Sequence, residues 1–205
     1  MIADKPENEN QRLRILDGLK ILDTEADESY DVITRLASTI METPVALISL
    51  IDDERQWFKS KVGIEDEGTS RDVAFCAHAI LHPHKETIVE DATKDKRFAD
   101  NPYVLDGGVR FYFGIPLVIE DQPIGTICAI DIEPRKPTQN QINSLKELSK
   151  LVVIQLELRK SILDINDNVS KLNLTNDKNE EEYLALYSTC DNILKKIKAR
   201  KSNQN

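Results

Sequence analysis

A chain of 205 residues holds one domain of ordinary size plus an extension. Its 36 acidic and 27 basic side chains leave a net charge of −9, a field that disfavours nucleic acid and anionic lipid. With 40% hydrophobic and 31% charged residues, no run of about 20 apolar residues, and a start that lacks the basic and apolar segments of a secretory signal, it reads as a globular chain without a spanning helix, for which a cytoplasmic location is expected.

Residues 1–9 are polar and expected to be disordered. Leu13, Ile15, Leu16, Leu19 and Leu22 then repeat at helical spacing, and a second helix is predicted over residues 28–41, with Tyr30, Ile33, Leu36, Ala37 and Ile40 on one side and Pro44 ending it. The branched run at 45–51 reads as a buried strand. Asp52 and Asp53 turn it into a second strand at 56–61.

Ser70 is suited to cap a helix over residues 71–81, with Asp72 at its positive end and Pro83 beyond its stop. A short strand at 87–90 precedes the polar stretch 91–108, whose length predicts a functional loop or a short helix. Two β-branched runs, 109–119 and 123–132, flank a turn at 120–122 and form a hairpin. Strands joined mainly as hairpins and interleaved with helices imply an α+β sheet with helices packed on it.

Thr138 and Gln141 fit the capping-box pattern and open a long helix. From Leu148, a 3.5-residue seam runs through Leu151, Gln155, Leu158, Ile162, Ile165, Val169, Leu172, Asn176, Asn179, Tyr183, Leu186, Cys190, Ile193 and Ile197, apolar except at Gln155, Asn176 and Asn179. Such a seam is a coiled-coil signal and makes a homodimer through this helix a candidate. The weak helix formers at 173–179 leave a helical hairpin open. The basic run at 195–201 reads as a solvated helix end.

The stretches 19–24, 48–60, 75–80 (Phe-Cys-Ala-His-Ala-Ile), 95–102, 110–112 and 125–131, in this order and spacing, resemble the GAF domain, in particular the bacterial subgroup found ahead of histidine kinase or diguanylate cyclase domains. The resemblance covers residues 10–160, leaving 161–205 as a helical or coiled-coil extension. It implies a central antiparallel sheet of five to six strands flanked by helices, a small-molecule pocket, and a non-catalytic sensor of signals. With 161–205 too short for a catalytic output domain, the expected relay passes through the C-terminal helix to a separate kinase or cyclase partner.

The candidate ligand-binding residues are Trp57, Cys76, His78, Asp91, Arg97, Arg110, Tyr112 and Cys128. Arg97 and Arg110 are suited to bidentate capture of a carboxylate or phosphate, or else pair with Asp91 and Asp95 to staple the long loop. Trp57 and Tyr112 can stack on a planar ligand or serve as core, and strand alternation puts Phe111 and Phe113 on one face and Tyr112 on the other. Neither a Gly-rich phosphate loop nor the asparagine and lysine motif of cyclic-nucleotide GAF domains is present, so the ligand or cofactor is unnamed.

All three histidines fall between residues 78 and 84. His78 and His82 share a helical face at zinc-binding spacing, but no further ligand completes the set, and no metal is expected. Cys76 and His78, roughly 200° apart around a helix, lie on different faces. The three cysteines are far apart without a CxxC pair, so Cys76 and Cys128 read as buried, reduced thiols. Some GAF proteins reduce free methionine sulfoxide with a loop set of cysteines and others attach a bilin at Cys-His. Neither pattern is met, since Ala77 separates Cys76 from His78. Two rival readings stand beside the sensor: a small redox enzyme using Cys76 or Cys128, and a dimerisation or docking module with no ligand.

Overall fold

In the computed structural model, residues 2–175 and 187–191 are described. The chain divides into two units, Met1–Lys160 and Ser161–Asn205. The first holds a six-stranded sheet built from β1 (Val45–Ile51), β2 (Arg55–Val62), β3 (Gly68–Ser70), β4 (Thr87–Val89), β5 (Phe111–Ile119) and β6 (Gln122–Asp131), in the spatial order β3-β2-β1-β6-β5-β4. Every neighbouring pair is antiparallel.

Because side chains alternate across a strand, the central strands feed two separate cores. Ala46, Ile48 and Leu50 of β1 and Phe111, Phe113, Ile115 and Leu117 of β5 join one; Leu47, Ile51, Tyr112 and Cys128 join the other. Covered on both faces, these strands read as continuous apolar runs rather than alternating ones. The turn between β5 and β6 places Glu120 and Asp121 at φ 49° and 60°, the geometry of a primed hairpin turn.

The first core is roofed by α1 (Glu9–Gly18), α2 (Glu28–Met41) and the first turns of α5 (Gln139–Thr175). The Asp27 side chain accepts from Ser29 N at 2.9 Å and starts α2. Leu36, predicted to face inward, is exposed with Val32, while Thr34 takes the inner position and bonds back to Tyr30 O. The segment 1–9 is ordered at its end. Glu9 belongs to α1, where its carboxylate sits between the buried guanidiniums of Arg12 and Arg71 at 2.7 and 2.5 Å.

The capping box forms as predicted: Thr138 N donates to Gln141 Oε1 at 3.0 Å and Gln141 N to Thr138 Oγ1 at 3.3 Å. From there α5 buries Leu145, Leu148, Val152 and Leu156 against the first core, and Arg159 Nε donates to Leu19 O. Leu148 therefore faces inward and is not part of an outer seam. Leu151, Ile154 and Leu158 point away from the core and are exposed.

In the second unit, Ile162 and Ile165 are exposed and Lys171 pairs with Asp167. The seam positions Asn176, Asn179, Tyr183, Leu186, Ile193 and Ile197 and the basic run at 195–201 lie outside the described residues. Among the described residues, no helix is long and apolar enough to cross a membrane.

The second core is covered by α3 (Phe75–Ala79), α4 (Pro102–Leu105) and the loops around them. The predicted helix over 71–81 is two pieces, a 3₁₀ turn at Arg71–Val73 and α3, hinged at Ala74 in extended geometry. The break has a tertiary cause: Asn101 Nδ2 donates to the carbonyl of Val73 at 2.9 Å, occupying an acceptor that a continuing helix would use. Ser70 still caps, accepting from Asp72 N.

Candidate ligand cavity

Between the sheet and α3 lies a cavity of about 220 Å³. Leu47, Phe58 and Ile130 form its floor, and Val73, Phe75 and Cys76 enter from the 3₁₀ turn and the start of α3. Tyr103 and Val109 close it from the long loop. The sequence builds this shape through the Ala74 hinge. A continuous helix from 71 to 81 would carry Val73 and Phe75 in one regular spiral, whereas the extended residue between them lets both reach the sheet.

Polar groups are few. Asp131, 3% exposed, is held by Arg135 and by Glu133 N. Gln56, 5% exposed, borders the cavity with its Oε1 buried and without a hydrogen-bond partner. A buried acceptor without a hydrogen bond costs about 1–3 kcal/mol, so this atom is suited to accept from a donor.

At the inner end of the cavity the two thiols meet. Cys76 Sγ and Cys128 Sγ are 3.8 Å apart, and Tyr112 Oη donates to Cys76 Sγ at 3.4 Å. The hydroxyls of Ser49 and Thr126 lie 3.2 Å from each other and also reach Cys76. Burial opposes ionisation of Cys76, but the hydrogen bonds from Cys128, Ser49, Thr126 and Tyr112 outweigh it and lower its pKa. The bond to Cys76, and burial with it, pushes Cys128 well up. Burial, followed by the charge at Cys76, raises Tyr112 as well.

Of the candidate residues, Cys76 and Tyr112 line the cavity and Cys128 backs it. His78 and Arg97 gather next door around Phe98, His78 edge-on at 4.8 Å and the Arg97 guanidinium at 4.9 Å, with Arg97 also on Asp95. Phe98 in turn stacks on Phe75 at 4.1 Å.

Asp91 caps its own turn, accepting from Thr93 N and Oγ1, and pairs with Lys94. Arg110 donates to the carbonyls of Val104 and Val109, which staples the long loop. Trp57 lies on the opposite face of the sheet, in the first core, and borders a separate polar groove of about 660 Å³ with Asp23, Arg55 and Glu67. These three candidates are not brought to the cavity.

His82 and His84 are exposed, and among the described residues no group of three His, Cys, Asp or Glu side chains is arranged to hold a metal. The residues missing from the sequence reading are Gln56, Phe58, Phe75 and Asp131. The signal for Gln56 was its alternation with Phe58, which puts a polar side chain on an otherwise apolar face.

A six-stranded antiparallel sheet with helices on both faces and an apolar cavity under a short helix defines an α+β domain with a pocket on one face of its sheet. The chain belongs to the GAF domain family, whose model matches residues 25–156.

It is 39% identical over 159 residues to a Pseudomonas aeruginosa protein named cyclic di-GMP phosphodiesterase, covering 76% of this chain and 27% of that protein. The chain thus spans about a quarter of this relative's length. Among solved structures, it is similar to the GAF domain of an Acinetobacter phosphoenolpyruvate-protein phosphotransferase, with a TM-score of 0.55, 17% identity, and 76% and 96% of the two chains covered. It is also similar to the chromophore-binding domain of a bacteriophytochrome from R. palustris, with a TM-score of 0.55, 12% identity, and coverage of 77% of this chain and 64% of that one. At these identities the likeness is one of fold.

Proposed function

We propose that this chain is a non-catalytic signalling sensor that binds a small, largely apolar molecule between the sheet and α3 and passes its state through α5 to an effector. The observation that carries the reading is the apolar cavity with the side-chain carbonyl of Gln56, which has no protein partner, at its edge. The ligand it favours is about the size of a single ring system and offers an N–H or O–H donor to that atom.

The relay runs over short contacts. Asp131 borders the cavity and is bound by Arg135, whose own N–H donates to Glu90 O at 3.0 Å just before the long loop; α5 begins a few residues on. A ligand acts on this path only through unequal affinity for two packings of α3 and the loop.

The exposed residues Leu151, Ile154 and Leu158 on α5 support a homodimer through that helix. The relative's name supports cyclic di-GMP turnover as the effector's chemistry.

Native mass spectrometry of freshly purified protein tests the ligand and the dimer together. A retained small molecule that is released on denaturation, and that is lost in Gln56→Leu, is the expected result. A protein that carries nothing, and that no member of a library of small aromatic donors shifts in thermal melting, overturns the sensor reading.

A further inference from the structure

The buried thiols of Cys76 and Cys128 take no part in the proposed ligand contact at Gln56, yet they are a pair of free thiols in contact within the second core. Three features set them apart from cysteines that merely fill space. Their sulfurs are in contact at 3.8 Å although they come from α3 and from β6, one of the two central strands of the sheet. Three hydroxyls, those of Tyr112, Ser49 and Thr126, surround them in a core that is otherwise apolar. One of the two, Cys76, lines the cavity, so a molecule that enters the cavity meets a sulfur, with the second behind it.

From this geometry we propose that Cys76 and Cys128 form a peroxide-oxidisable pair, a modification site at which a small hydroperoxide converts two thiols into one disulfide. The chemistry balances within the site. Cys76 Sγ, as thiolate, attacks one oxygen of hydrogen peroxide, the O–O bond breaks, and hydroxide leaves with the proton that Cys76 gave up, as water. The product is a sulfenic acid on Cys76. Cys128 Sγ then displaces its hydroxyl, forming the S–S bond and releasing a second water. Sulfur loses two electrons and the peroxide oxygens gain them.

The hydroxyl donors favour the thiolate that begins the sequence, since the thiolate is the nucleophile. A disulfide needs the sulfurs at about 2.05 Å, so each side chain has to give up part of a gap of about 1.8 Å. The pair is bridged by rotating Cys76 on α3, a helix of five residues with the Ala74 hinge at its start. Closing the bond draws α3 toward β6 and narrows the cavity. Oxidation and ligand therefore act on the same helix.

The test uses the full chain, reduced and then exposed to a small excess of hydrogen peroxide, alkylated, and mapped as peptides without reduction. The expected result is a peptide joining Cys76 to Cys128, the loss of two of the three thiols with Cys190 still alkylated, and full recovery with dithiothreitol. The same joining is expected in Cys190→Ser, which removes intermolecular pairing. Two results overturn the proposal: Cys76 and Cys128 remaining free while Cys190 oxidises, or the joined peptide forming only after urea has unfolded the chain. Neither readout depends on a ligand, so failure here leaves the cavity reading standing, and failure there leaves this one.

Discussion

Glu9 Oε1 lies 2.5 Å from Nη1 of Arg71, joining the first turn of α1 to the 3₁₀ turn that leads into α3. The same carboxylate accepts from Arg12, whose Nη1 donates to Ile51 O at 2.5 Å. Burial works against ionising Glu9, but the hydrogen bonds from Arg12 and Arg71 hold its pKa at about 2. Removing one charge from such a cluster leaves buried guanidiniums uncompensated. Glu9→Gln is expected to cost about 3 kcal/mol of stability, read from urea denaturation.

Acid should show the same linkage. The folded pKa of Glu9 is depressed below its ordinary 4.5, so its contribution is present above that value and is lost as pH falls toward 2. The melting temperature of the native protein should fall across this window more steeply than that of Glu9→Gln.

Gly114 is the next test point. A Cβ there would stand 2.1 Å from Tyr112 Oη and 2.6 Å from its ring carbon Cζ, so the ring that donates to Cys76 covers the space. Gly114→Ala should destabilise by about 2 kcal/mol and shift Tyr112, with the urea midpoint falling at unchanged slope.

Arg110→Ala removes the two bonds to the carbonyls of Val104 and Val109. Hydrogen exchange should rise at residues 102–109 while the sheet stays protected, and the global loss should be about 2 kcal/mol.

Gln56→Leu replaces the orphaned carbonyl with an apolar side chain of similar size. The ligand-free protein should become more stable by about 1 kcal/mol while binding is lost, the pattern of a site kept at the expense of stability. A less stable variant would mean that Gln56 has a structural partner.

Leu158→Asp combined with Ile162→Asp, both exposed in the single chain, should turn the proposed dimer into a monomer in light scattering.

Much of this fold was legible because its signals are local. The turn at Asp52 and Asp53, the hairpin at 120–121 and the Thr138–Gln141 box each depend on a few neighbouring residues, and each forms where the sequence places it. The 14 residues of helix periodicity in α2 misplace Leu36 because propensity does not say which of two apolar stripes meets the sheet; Thr34, polar but able to bond to Tyr30 O, takes the inner place. The strand Gly68–Ser70 is too short to carry a pattern and exists only through pairing with β2.

The site was less legible for a related reason. Cys76, Cys128 and Tyr112 come together from α3, β6 and β5, and no spacing encodes that meeting. Arg110 carries the residue type of an anion site but spends its hydrogen bonds on the carbonyls of the loop itself, while Asp91 caps its own turn. The Ala74 hinge was hidden because the acceptor that breaks the helix is claimed by Asn101, far along the chain.

The strand order β3-β2-β1-β6-β5-β4 puts β1 against β6, with Val45 opposite Ile130. During synthesis the hairpin of β1 and β2 emerges early, yet the flank of β1 that β6 will cover stays bare until residue 131 has left the ribosome. The nascent chain therefore carries an apolar, unpaired strand edge from the end of β2 at Val62 until Asp131 completes β6. Slow elongation after the hairpin, or truncation before β6, should send the product into aggregates rather than into a smaller folded form.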